Sequence, residues 1–221
     1  ATLSEEEAAR LAAVERLMGL ETCADAERDY GTQLIQLTAC RLELGKGKAS
    51  FVISSDTIIA SETESTGTLR AELNGEAGAS LQVIEEKVEG AFSYPWIEDL
   101  DGDGAGDLMV PLYTAMVNTN YALWLQGADG LFVRSGELSG YSIAPTKDGY
   151  IAATGRSSAA EWETGYFRVV DGKLEEAAIV VNRAEPKEGE PAPEGPLCEV
   201  IWSAEGVNTA GFCASEAGSP D

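Results

Sequence analysis

The apolar positions of this chain change period once. Between Ser4 and Gly19 they recur at helical spacing, with Leu11, Val14, Leu17 and Met18 forming one stripe. Ser4 and Glu7 make an S-x-x-E capping box, acids fill the first turn, and Gly19 follows as a stop. The pattern predicts one N-terminal helix, packed on the main body or tethering it. Beyond Tyr30 short strand-like runs alternate with turn signals. Gln33–Leu44, Phe51–Ser54, Thr57–Ala60, Thr68–Leu73 and Ser80–Glu89 read as strands in the first half. Leu108–Tyr113, Tyr121–Gln126, Leu131–Arg134, Tyr150–Thr154, Gly165–Val170 and Lys173–Val181 follow in the second. Gly45-Lys46-Gly47, Asn74-Gly75, Asp129-Gly130 and Asp171-Gly172 punctuate them. Strands at this spacing, with no helical pattern between them, predict a mainly β fold, an antiparallel β-barrel or sandwich. Leu197–Trp202 and Asn208–Cys213 predict a closing hairpin turned at Glu205-Gly206. The organisation expected is a helical segment (1–30), a β domain (31–185), a Pro/Glu-rich connector (186–196) and a C-terminal disulfide hairpin with its tail (197–221).

Composition then narrows the chemistry. None of the 221 residues is histidine, which removes Ser-His-Asp and Cys-His nucleophiles, His-ligated zinc and imidazole proton shuttles. The 38 acids against 15 bases give a net charge of −23, while 44% hydrophobic residues suffice for a real core. Such a chain lacks the cationic surplus that replaces counterions on nucleic acid or draws a protein to anionic lipid. It suits a hard cation, a basic partner, or both. Four cysteines allow three connectivities and show no zinc spacing. Pairing between sequence neighbours, Cys23 with Cys40 and Cys198 with Cys213, is preferred, because the second pair faces across the predicted hairpin. Four reduced thiols in a cytosolic protein are the alternative. No stretch is long enough to span a bilayer, and no signal-peptide core opens the chain. The expectation is a mature exported protein, periplasmic or extracellular, soluble or lipid-anchored, whose targeting segment is missing from this sequence.

One motif is sharp. Asp99-Leu100-Asp101-Gly102-Asp103-Gly104-Ala105-Gly106-Asp107 places acids at loop positions 1, 3, 5 and 9. Hard Ca²⁺ takes six to eight oxygens, so Asp99, Asp101, Asp103 and Asp107, with the Ala105 carbonyl at position 7, form a candidate ligand set. Gly104 at position 6 allows the sharp turn. Position 12 is Val110 and the flanks read as strands, so this is not an EF-hand. It is similar to the β-flanked D-x-D-G-D-G-x-x-D-L loops of integrin-like repeat proteins, but occurs once, which argues against a propeller.

Further residues carry a family resemblance. Leu81-Gln82-Val83-Ile84, Asn118-x-x-Tyr121-x-x-Trp124-Leu125, Gly130-Leu131-Phe132, Glu137-Leu138-Ser139, Arg156, Trp162, Tyr166 and Asp171-Gly172-Lys173-Leu174 accompany the loop. Over roughly residues 68–181 the chain resembles periplasmic calcium-binding immunity proteins that neutralise peptidoglycan-hydrolase effectors delivered by bacterial secretion systems. The resemblance implies a fold like the PliC-type lysozyme inhibitors, bound Ca²⁺, a basic peptidoglycan hydrolase as partner, and no catalysis. It also implies that a loop beside the calcium site enters the hydrolase cleft with a tyrosine at its tip. The matching segment is Tyr113 to Asn120, where Met116 stands in the place of that tyrosine. Tyr113, Met116, Asn118 and Asn120 are therefore the partner-binding candidates, while Tyr121 and Trp124 are assigned to the β interior.

Two other functions compete. A calcium-dependent carbohydrate-binding or adhesion module would use exposed aromatics near the loop, for which Tyr94, Trp96 and Tyr113 are available. A glycosidase would need paired carboxylates, which Glu161-Trp162-Glu163 offers, although their spacing is ordinary strand alternation.

Overall fold

The structure is a computed structural model that describes residues 4–23, 39–44, 50–59, 65–75, 78–89, 94–186 and 193–213. It is mainly β, with one N-terminal helix, α1 (Glu5–Met18). The first sheet holds β1 (Cys40–Glu43), β2 (Ser50–Ile59), β3 (Ser65–Asn74), β4 (Ser80–Glu89), β5 (Trp96–Glu98), β6 (Asp107–Ala115), β7 (Asn118–Gln126) and β8 (Phe132–Gly140). Its order is β1-β2-β3-β4-β6-β7-β8, with β5 paired to β6. The second sheet holds β9 (Ser142–Pro145), β10 (Ile151–Arg156), β11 (Glu161–Val170), β12 (Lys173–Arg183) and β13 (Cys198–Ser203), ordered β13-β12-β11-β10-β9. Among the described residues, then, the strands form two sheets, each an open path. The registered pairings are antiparallel except for one parallel contact, Glu89 with Tyr113.

Turn chemistry sets the hairpins. Asp171 and Gly172 both take positive φ, 49° and 73°, and join β11 to β12 at the pair Val170–Lys173. Two left-handed residues make the primed turn whose twist matches the strands it connects. Pro111 lies inside β6, where a missing N–H is normally disruptive. The strand is paired with β5 at residues 107–109 and meets β4 at Tyr113, so the proline falls where β6 changes partners.

The chain divides into two compact units. The first comprises Ala1–Glu98, Ala105–Thr114 and Asn120–Arg134. Its core gathers Phe51, Ile53, Leu69, Leu73, Ile84 and Leu108, with Phe51 edge-on to Phe132. The Gln82 side chain acts there as a short piece of strand. Its Nε2 donates to the Phe132 carbonyl at 2.7 Å, and its Oε1 accepts the Phe132 N–H at 2.8 Å. Glu86, two residues on, accepts from Trp124 Nε1 at 2.9 Å and from Arg134 Nε at 2.7 Å. Helix α1 has the predicted capping box. Of its stripe, Leu17 is buried and Val14 half-buried, while Leu11 and Met18 are exposed. The contact is narrow because the helix rests on the β3–β4 turn, where a Cβ on Gly78 would lie 3.0 Å from the Ala13 methyl. The Cys23–Cys40 disulfide and a bridge between Thr22 and Arg41 tie the segment after the helix to β1.

The second unit comprises Asp99–Gly104, Ala115–Thr119 and Ser135–Asp221. One of its buried clusters is built on aromatic rings, in which Phe212 lies 4.3 Å from Tyr166 and 5.4 Å from Tyr150, ring centre to ring centre. The Cys198–Cys213 disulfide fixes Phe212 there. By the chain-entropy argument its separation of 15 residues contributes about 3 kcal/mol. Arg183 pins β13 by donating to Glu161 at 3.0 Å, Glu199 at 3.2 Å and the Pro196 carbonyl at 2.8 Å.

Several boundaries differ from the sequence reading. The run Phe51–Ser54 and the described part of Thr57–Ala60, up to Ile59, are one strand, β2, because both pair continuously with β3. Leu131–Arg134 extends as β8 to Gly140, a stretch too polar to announce itself. β5 and β9 were not foreseen, being three and four residues long. The closing hairpin is half realised. Leu197–Trp202 becomes β13 and pairs with β12, whereas Asn208–Cys213 runs as loop and turns that carry Phe212 inward. Residues 33–38 of the Gln33–Leu44 run, the Gly45-Lys46-Gly47 turn, residues 187–192 of the connector and the tail from 214 lie outside the described residues.

Candidate metal centre

The nine-residue loop Asp99–Asp107 links β5 to β6. Its turn is built by Asp99, whose Oδ1 accepts the Gly102 N–H at 2.8 Å and whose Oδ2 accepts the Gly104 N–H at 3.0 Å. Asp101 Oδ1 accepts the Asp103 N–H at 3.1 Å. Gly102 and Gly104 have φ of 78° and 88°, and a Cβ on either would meet nothing within 4 Å, so both are there for backbone conformation. Gly106 has another cause: its Cβ would lie 2.5 Å from Ile97 Cγ2.

These bonds aim carboxylates at one point. Ligand atoms of Asp99, Asp101 and Asp107 all lie within 4.8 Å of one another. Oxygens on opposite sides of one Ca²⁺, each at 2.3–2.6 Å, are about 5 Å apart, so the three fit a single coordination sphere. Asp107 is 1% exposed and accepts the Gln126 N–H at 3.2 Å. A buried carboxylate is costly unless compensated, and a cation supplies such compensation. Burial pushes the Asp101 carboxyl above its ordinary range, and the charges of Asp103 and Asp99 add to the shift. The donor set therefore fits a hard divalent ion. Asp103 is exposed and outside the converging trio, and Ala105 is half-buried at position 7.

The partner-binding candidates lie at the far end of β6. The strand has nine residues, about 26 Å when extended, with Asp107 at one end and Ala115 at the other. The tip is a two-residue turn, Met116-Val117, between β6 and β7. Met116 has φ of 57° and is 98% exposed, while Tyr113 is 48% exposed. Asn118 turns to the backbone of Arg156, accepting its N–H at 2.8 Å and donating to its carbonyl at 3.0 Å. Asn120 is buried. Tyr121 and Trp124 are half-buried, Tyr121 edge-on to Trp96 and Trp124 against the first core.

The competing sites look different. Of the three aromatics assigned to a glycan site, Tyr94 and Trp96 are half-buried and only Tyr113 is exposed. Glu161 is ion-paired to Arg183, in a bond that holds β11, β12 and β13 together. Sequence reasoning missed Glu86 and Arg183, whose partners are 38 and 22 residues away, and noted Gln82 only as part of a motif, without its partner 50 residues away. No local pattern signals such pairs.

All four cysteines are paired as preferred, Cys23–Cys40 and Cys198–Cys213. Two disulfides indicate an oxidising, non-cytoplasmic compartment. No helix among the described residues is long and apolar enough to cross a membrane. No family model matches the chain, and no curated protein does. Among solved structures, a Xanthomonas type IV secretion system related protein is similar at TM-score 0.46 and 8% identity, over 75% of this chain and 98% of that one, a likeness too distant to carry a functional argument.

Proposed function

We propose that the chain is a periplasmic calcium-binding inhibitor, an immunity-type protein that blocks a basic, lysozyme-like peptidoglycan hydrolase by inserting the β6–β7 tip into its cleft. The sequence resemblance supplies the partner class, and the net charge of −23 suits steering toward a basic enzyme. The observation that carries the reading is Met116. A large apolar side chain projects 98% exposed from a left-handed backbone position that disfavours any side chain. The Asn118–Arg156 amide clamp beside it fixes the turn before any partner arrives, which lowers the ordering cost of insertion. Asp99, Asp101 and Asp107 would hold Ca²⁺, which would stabilise the fold.

The test is inhibition of c-type lysozyme, g-type lysozyme and a bacterial lytic transglycosylase on purified peptidoglycan. The protein inhibits at least one of them, and Met116→Asp abolishes inhibition without changing the melting temperature. Chelation, or Asp101→Ala, lowers the melting temperature and weakens binding, because the ion rigidifies the loop region. No inhibition of any of the three enzymes would sink the reading. Glycan binding in their place would favour the adhesion alternative.

A further inference from the structure

We propose that Met116 is a methionine-oxidation site, whose conversion to the sulfoxide switches the β6–β7 tip from apolar to polar; its consequence for hydrolase binding rests on the function proposed above. The chain has three methionines in three environments. Met109 is 0% exposed, within β6. Met18 is 64% exposed, but its Sδ accepts a hydrogen bond from Arg41 Nη1 at 3.7 Å. Met116 is 98% exposed at a hairpin tip. Thioether oxidation follows access to sulfur. No free cysteine competes for the oxidant, since all four are in disulfides.

The oxidant is hydrogen peroxide. A sulfur lone pair attacks one peroxide oxygen, the O–O bond breaks and an S–O bond forms. Sulfur loses two electrons, and the displaced hydroxide takes the remaining proton and leaves as water. The product is polar and chiral where the reactant was apolar and flexible. The scaffold does not feel the change. So exposed a side chain contributes nothing to a core, and the turn is held by the β6–β7 pairing and by Asn118 on the Arg156 backbone. The oxidisable group is thus placed where it alters recognition and spares folding.

The experiment exposes the folded full chain to millimolar hydrogen peroxide and follows each methionine by peptide mapping, alongside melting temperature and retention on a phenyl matrix. Met116 oxidises first, at least about tenfold faster than Met109, with Met18 between them. Retention falls as Met116 is oxidised and the melting temperature does not. Met116→Leu keeps its retention under peroxide, and Met116→Gln shows the reduced retention without it. Prior oxidation of Met18 or Met109, unchanged retention, or a melting temperature that falls with Met116 oxidation would each overturn the proposal. For a hydrolase that the reduced protein inhibits, affinity falls at least about tenfold on oxidation of the native chain and not of Met116→Leu; binding that survives oxidation overturns the switch. If no hydrolase binds while the oxidation order and retention hold, the function reading fails and the oxidation site stands.

Discussion

Gly106→Ala puts a methyl group 2.5 Å from Ile97 Cγ2. Carbon atoms in contact prefer about 3.5–4.0 Å, so the overlap is about 1 Å or more. Ile97 cannot simply withdraw, because it pairs with Leu108 in the β5–β6 ladder and packs on the first core. Overpacking of this kind costs about 1–3 kcal/mol. A loss of about 2 kcal/mol lowers the melting temperature by about 4–8 °C in a chain of this size. Scanning calorimetry with saturating Ca²⁺, and again with chelator, measures it. The decisive comparison is a double-mutant cycle. Ile97→Ala removes the offending methyl, so Gly106→Ala is less harmful in that background, with a coupling of about 1–2 kcal/mol. Gly104→Ala is the control. Its Cβ meets nothing, and its cost is the left-handed backbone alone, about 1–2 kcal/mol, with no coupling to Ile97. A Gly106→Ala loss below about 0.5 kcal/mol, or strict additivity with Ile97→Ala, would refute the steric account.

Three further outcomes follow from other parts of the molecule. Gln82→Leu leaves the Phe132 N–H and carbonyl without the partners they have now, and costs about 1–3 kcal/mol by denaturant titration. Gly140→Ala drives a Cβ into the Thr154 carbonyl group, whose carbon would lie 2.8 Å away; backbone yields less than a side chain, so circular dichroism shows a loss of about 3 kcal/mol, larger than for Gly136→Ala against the Leu174 side chain. With calcium chelated, Asp101 binds its proton more tightly in the folded state than at its unfolded value of 3.8, so its contribution to stability rises as pH falls from neutral toward that value. Glu72, held low chiefly by the Ser80 hydroxyl and then by Arg70, works in the opposite direction, so the readout is the difference between the native chain and Asp101→Asn. Bound Ca²⁺ reverses the sign for Asp101, because protons then compete with the ion.

The elements legible in the sequence are those whose cause is local. The Ser4–Glu7 box and the Asp171-Gly172 turn carry their geometry in adjacent residues, and both are found where the sequence puts them. The acidic loop is legible for the same reason. Its three glycines, however, read alike in one dimension, although Gly102 and Gly104 serve conformation and Gly106 serves space. That distinction needs Ile97, nine residues away on β5. The second half of β8 was hidden because Ser135-Gly136-Glu137-Leu138-Ser139-Gly140 offers one large apolar residue, and its strand character comes from the ladder. Asn208–Cys213 misled in the other direction. Its disulfide was legible, but Phe212 packs into the Tyr150–Tyr166 cluster in place of a ladder. The tip candidates divided for a comparable reason, since Asn118 spends both ends of its amide on Arg156 and leaves the exposed surface to Met116 and Tyr113.

The double hydrogen bond from Gln82 to Phe132 also bears on how the chain behaves among its own copies. β8 closes the strand order of the first sheet, and an outermost strand ordinarily offers its unpaired N–H and carbonyl groups to any extended segment that passes. At Phe132 both groups are already occupied by a side chain that cannot propagate a ladder. The protection at this residue is capping by a side-chain amide from β4. Its removal should therefore show in light scattering, as self-association through the newly opened backbone, under conditions where the monomer remains folded.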